Sequence, residues 1–126
     1  MAKLITASSA IRLTMTDLKN RRCAPCEGGV LALNTNAAEQ LLAKLSGWQL
    51  AMDSPPRITK SYHFKNYHET MAFVNATAWV SHREDHHPDL TVSYNACKVS
   101  YTTHAIGGLS DNDFICAAKI DALFEL

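Results

Sequence analysis

The sequence has no surplus of either charge: 12 Lys+Arg stand against 12 Asp+Glu. A balanced chain offers no electrostatic footprint for the backbone of a nucleic acid or for an anionic membrane surface. It also lacks any apolar run approaching the roughly 20 residues that a membrane-spanning helix needs. No segment repeats and no low-complexity linker divides the 126 residues, a length that suits one domain of ordinary size. No secretory signal accompanies the four cysteines, at 23, 26, 97 and 116, so all four are read as reduced thiols and the compartment as cytoplasmic. Acids are missing from the first sixteen positions, which carry Lys3, Arg12 and several hydroxyl residues. That bias makes an organelle the alternative location.

What is present is a globular composition, 47% hydrophobic and 19% charged. Residues 1–33 show no sustained period and hold the turn-rich run Cys23-Ala24-Pro25-Cys26-Glu27-Gly28-Gly29, so they are expected to be an N-terminal extension, loop or mobile. Cys23 and Cys26 could form half a zinc site or a redox pair, but with no second ligand pair nearby they are read as bare thiols. The ordered domain is expected over 34–126.

Asn36 with Glu39 has capping-box spacing, Leu41, Leu42 and Leu45 share a face, and Gly47 can close a helix at about 37–46. Gly47-Trp48-Gln49-Leu50 leads into a short strand, and Ser54-Pro55-Pro56 makes a turn. From Ile58 to Lys65 the pattern alternates, with Ile58, Tyr62 and Phe64 on one side: a half-buried strand. Asn66 with Glu69 starts a central helix over about 67–83, with Tyr67, Met71, Val74 and Ala78 at helical spacing. Leu90, Val92 and Tyr94 alternate, as do Cys97, Val99, Tyr101 and Thr103 after a tight turn near Asn95-Ala96. Ser110 with Asp113 caps a last helix. Trp48 and Trp79 are read as core residues, and Trp79 as a possible subunit contact. The order α-β-β-α-β-β-α with two close strand pairs predicts an α+β two-layer sandwich: a four-stranded antiparallel sheet with three helices on one face. Its bare face or edge, with apolar residues left to cover, predicts self-association.

The densest polar run, Glu84-Asp85-His86-His87-Pro88-Asp89, falls where the central helix gives way to the third strand. His104 closes the fourth strand. If strands three and four form a hairpin, Pro88 and His104 lie at the same end of the sheet, and His86, His87 and His104 can line one pocket. Three imidazoles admit three readings: acids and bases titrating near neutrality, a zinc site, or structural rings bonded to backbone. Adjacent histidines suit a single ion poorly. Asp85 and Asp89 could orient an imidazole or be solvated turn residues.

The run from Glu84 to Asp89, then Tyr94-Asn95, Thr102-Thr103-His104 and Gly108-Leu109-Ser110-Asp111-Asn112-Asp113, resembles the signature of the pterin-4a-carbinolamine dehydratases, also called the dimerisation cofactor family. The likeness extends to Gly47-Trp48 and Tyr62-His63-Phe64-Lys65, and covers about residues 36–124. The resemblance implies the fold predicted above. It implies dehydration of 4a-hydroxytetrahydrobiopterin to the quinonoid dihydropterin, recycling tetrahydropterin for aromatic amino-acid hydroxylation. It implies no metal and no organic cofactor, a pterin substrate, a homodimer or homotetramer, and coupling to an aromatic amino-acid hydroxylase. The alternative it carries is a dimerisation or transcriptional coactivator module. Matched residue by residue, His86 and His104 take the acid and base positions, and His87 a catalytic position suited to orienting the ring. Asp85, Thr102, Thr103 and Ala105 join the three histidines in lining the substrate pocket. The chain departs from many relatives at His82, where they carry Glu; one helical turn separates His82 from His86.

Overall fold

The computed structural model of the chain describes residues 18–25 and 30–125. From residue 30 on, the helices α1 (Thr35–Leu42), α2 (Tyr67–Glu84) and α3 (Asp111–Ala122) accompany the strands β1 (Gln49–Ala51), β2 (Arg57–His63), β3 (Asp89–Val92) and β4 (Ala96–Tyr101), and residues 18–20 are helical as well. The sheet runs β1-β2-β4-β3 with every pair antiparallel, as the α+β reading predicts.

Period-two alternation decides which side of the sheet is buried. Ile58 lies opposite Tyr101 and Tyr62 opposite Cys97; all four are buried, as is Val99 between Cys97 and Tyr101 on β4, and Leu90 and Val92 of β3 share their face. Phe73 of α2 packs on Tyr62, with ring centroids 4.6 Å apart, and Phe114, Ile115 and Ile120 of α3 complete the core. The other face carries Thr59 opposite Ser100, Ser61 opposite Lys98, and Asp89 and Thr91 from β3. The expectation of an apolar bare face is therefore corrected: the uncovered face is polar, and one of the places where large apolar side chains are exposed is the β3 edge, at Val92 and Tyr94, with Tyr67 of α2 stacked on Tyr94.

Polar groups lock the layers together. Asp121 of α3 accepts from the Trp48 indole at 3.0 Å, from the Lys60 ammonium at 2.8 Å and from the Tyr62 hydroxyl. Lys60 is thus a lysine on the core side of β2, tolerated because its charge is matched. Burial, with the Asp121 carboxylate beside it, pushes the Tyr62 hydroxyl far above its ordinary value. Trp48 is buried as expected, but Trp79 is 61% exposed, on the outer side of α2.

Several boundaries differ from the sequence reading. Asn34, not Asn36, caps α1, accepting from the Ala37 amide at 2.8 Å, and the helix ends at Leu42. Gly47 is left-handed (φ +82°) but serves the turn into β1, where a Cβ would meet the Lys60 side chain at 3.1 Å. β4 stops at Tyr101, since Thr103 pairs only with Gly108 and its hydroxyl turns inward.

Residues 18–25, expected to be loose, are packed. Leu18 is 1% exposed within the core. The Cys23 amide donates to Glu84 at 2.8 Å, and Asn112 holds Ala24 through both its amide groups, at 3.0 and 2.6 Å. Cys26 and the acid-free first sixteen positions lie outside the described residues. No helix among the described residues is long and apolar enough to cross a membrane.

Candidate active site

α2 ends because Asp85 adopts the left-handed conformation (φ 52°, ψ 43°), with its amide closing on the Ser81 carbonyl. Asp is among the few non-glycine residues that tolerate this. Pro88 disfavours helical backbone at His87, and β3 begins at Asp89. Asp89 pairs with Ser100, so residues 86–88 run beside residues 101–103, at the sheet end the hairpin argument predicts.

His86 is the fixed imidazole of the three. Its Nε2 lies 2.7 Å from Asp113 Oδ1, with 11% of its side chain exposed and none of Asp113's. Its ring stacks on Tyr101 at 5.7 Å and an interplanar angle of 6°. The other oxygen of the Asp113 carboxylate is fully engaged: Oδ2 accepts from the Thr103 hydroxyl at 2.8 Å and the Ser110 amide at 3.0 Å. Thr103 Oγ1 also lies 2.8 Å from Ser110 Oγ, and since Thr103 donates to Asp113, Ser110 donates to Thr103. An ionised carboxylate only accepts, so a neutral His86 must carry its proton on Nε2, which leaves Nδ1 as its acceptor. That ring can take up a proton, and Asp113 stabilises the imidazolium that results.

The remaining predicted residues divide. Asp85 joins His86 in lining a cavity of about 320 Å³, whose other walls are Cys23, Ala24, Pro25, Arg83, Glu84 and Asn112. His87 is exposed and faces a different, apolar groove with His82, Pro88 and Leu90. His104 and Ala105 are exposed on a 3₁₀ turn, His104–Ile106, rather than on a strand end. Thr103 is buried in the Asp113 network, and Thr102 is committed to structure, donating to the Pro56 carbonyl at 2.6 Å. His82 stacks on Trp79 at 5.7 Å. Glu84 anchors residues 22–23: burial alone would raise its carboxyl, but the Cys23 amide, Lys119 and Arg22 outweigh it and hold it below the ordinary value of 4.5. Among the described residues no three His, Cys, Asp or Glu side chains are grouped to hold a metal ion.

Asp113 and Tyr101 are the residues the sequence reading did not assign to the site. Asp113 was visible as the third position of the Ser110 capping box and as the end of the quoted motif. Only the fold shows that its second oxygen reaches His86.

The sequence pattern of the family described as pterin 4 alpha carbinolamine dehydratase matches residues 32–123. The chain belongs to this family. A Nitrosomonas eutropha protein is 65% identical over 108 residues, 85% of this chain and 93% of its own length. A Nitrosospira multiformis protein is 58% identical over 113 residues, 90% of this chain and 97% of its own. Both carry pterin-4-alpha-carbinolamine dehydratase as a provisional name. With 113 of the 126 residues matched, an unmatched stretch at the start of the chain is too short to reach residue 18, so the packed N-terminal segment falls within the shared stretch. Among solved structures, a Brucella melitensis protein titled transcriptional coactivator/pterin dehydratase superposes with a TM-score of 0.69 at 29% identity, covering 73% of this chain and 97% of its own.

Proposed function

We propose that the chain dehydrates 4a-hydroxytetrahydropterin to the quinonoid dihydropterin plus water, recycling tetrahydropterin for aromatic amino-acid hydroxylation. The observation that carries this reading is the His86–Asp113 pair in a member of a family named for that reaction. The reaction removes the N5 proton and expels the 4a-hydroxyl as water, so it needs a base and an acid. His86, with Nδ1 as acceptor and Asp113 to stabilise the cation, is proposed as the base. His104, at the same end of the sheet, is proposed as the acid that protonates the departing hydroxyl. His87 is proposed to orient the ring, and Asp85, Thr102, Thr103 and Ala105 to line the pocket; for Thr102 and Thr103, whose hydroxyls are engaged, this contribution is through shape. The residues need no metal or organic cofactor to perform these transfers.

The test is a dehydration assay on synthetic carbinolamine with the unaided rate subtracted. Acceleration well above background supports the reading; a folded wild-type protein that gives none overturns it. The double title of the Brucella neighbour supports a second reading, a dimerisation or coactivator module, which would then stand first. In either case we propose a symmetric homodimer or homotetramer, for which the apolar side chains exposed at the β3 edge are the support, and a cytoplasmic location.

A further inference from the structure

Cys23 and Cys116 are 93 residues apart in sequence, yet their sulfurs lie 3.5 Å apart. The approach is imposed by the backbone on both sides. Glu84 holds the Cys23 amide, Asn112 clamps Ala24, and Cys116 sits in α3 one turn beyond Asn112. Cys23 Sγ also lies 3.7 Å from the Asn112 carbonyl, to which it donates, so the Cys116 thiol donates to Cys23. The two thiols differ in access: Cys23 is half-buried at the cavity wall, whereas Cys116 is fully buried.

We propose that Cys23 and Cys116 form an oxidation site, at which a hydroperoxide converts the two thiols to a disulfide that fastens the N-terminal segment to α3. Cys23 reacts first because it is the more exposed of the two thiols. Its thiolate attacks the terminal peroxide oxygen, the O–O bond breaks, and the alkoxide or hydroxide released takes up the proton shed by Cys23. A sulfenic acid is left on Cys23. The Cys116 sulfur then attacks the Cys23 sulfur, the S–S bond forms and the S–O bond breaks. The hydroxyl leaves as water with the Cys116 proton. The two sulfurs give up two electrons in all, and the hydroperoxide becomes an alcohol (or water) plus one water. The contact with Cys23, together with burial, pushes the Cys116 thiol well above its ordinary value, which keeps it from being the first thiol oxidised. Cys97 is fully buried on β4 with its thiol raised by burial, and takes no part.

The test uses the full chain as wild type, Cys26→Ser and Cys116→Ala, treated with hydrogen peroxide and analysed by intact mass and non-reducing peptide mapping. Cys26→Ser removes the neighbouring competitor in sequence. The expected product is about 2 Da lighter through loss of two hydrogens, with peptides containing Cys23 and Cys116 joined, and the link is reversed by dithiothreitol. Its Tm should rise by about 5 °C or more, because the link constrains the unfolded chain. Cys116→Ala, checked for folding by circular dichroism, should instead accumulate oxygen on Cys23. Oxygen addition at Cys23 of the Cys26→Ser protein with Cys116 unmodified would overturn the proposal. So would a wild-type product joined only between Cys23 and Cys26, an unchanged mass, or a link that lowers Tm. The test reads sulfur chemistry alone and is independent of pterin turnover.

Discussion

A buried carboxylate with three donors around it holds its shape whether or not a substrate is present. Asp113 therefore keeps the His86 ring in one tautomer before any proton moves. His86→Ala and His104→Ala should each lower kcat by up to about 10²–10⁴-fold, the usual contribution of a general acid or base. His87→Ala should mainly raise KM. Steady-state kinetics on the three variants, with circular dichroism for folding, decide this; near-normal kcat in folded His86→Ala and His104→Ala would remove their catalytic assignment. Asp113→Asn tests positioning. The Asn amide can present an N–H to His86 and favour the wrong tautomer, so kcat should fall by about 10²-fold with KM little changed. An unaltered kcat and pH profile would reduce Asp113 to a helix cap. The histidines were legible in the sequence because His-His-Pro and Thr-His recur in a known pattern. The Asp113–His86 bond was not, because the two are 27 residues apart and are joined only by the packing of α3 against the sheet end. Nor did spacing separate His86 from His87: adjacent residues diverge, and only the fold shows which ring turns inward.

At the scale of elements, alternation and capping located the four strands and the helices α1, α2 and α3, but the ends moved where side chains outweighed local pattern. Thr103 belongs to the β4 alternation by sequence, yet its hydroxyl is drawn to Asp113 and the strand stops earlier. The N-terminal segment was illegible for a related reason. Its order comes from distant partners, Glu84 and Asn112, and not from any period of its own. Deleting residues 1–25 removes Leu18 from the core and should destabilise the domain by at least about 2–3 kcal/mol. Urea denaturation of full-length and shortened chains measures it; equal midpoints would mean that the segment only rests on the surface. Glu84 gives the same attachment a pH dependence. Its folded pKa is depressed, so its contribution is full above the ordinary value of 4.5 and is lost as pH falls through the lower folded value. Glu84→Gln should cost about 1–3 kcal/mol near neutrality and flatten the acid limb of stability against pH. Denaturation midpoints of both proteins across the acid range check this, and parallel curves would contradict it.

For the whole molecule, an antiparallel sheet with a polar open face can remain in water. Association should therefore use the β3 side, where Val92, Tyr94 and Tyr67 are exposed. Light scattering at micromolar concentration should give a dimer or tetramer, and Val92→Lys with Tyr94→Lys should shift it towards monomer. A wild-type monomer would overturn this, and an unshifted oligomer would place the interface elsewhere. The two tryptophans give such experiments separate optical readouts. Trp48 is 6% exposed, with its indole N–H on Asp121, so its emission should be blue-shifted and shielded from acrylamide until the core opens. Trp79, 61% exposed on the outer side of α2, should emit to the red and be quenched freely unless something covers it. In one fluorescence titration, the blue component then reports folding, and the quenchable red component reports whatever docks against α2.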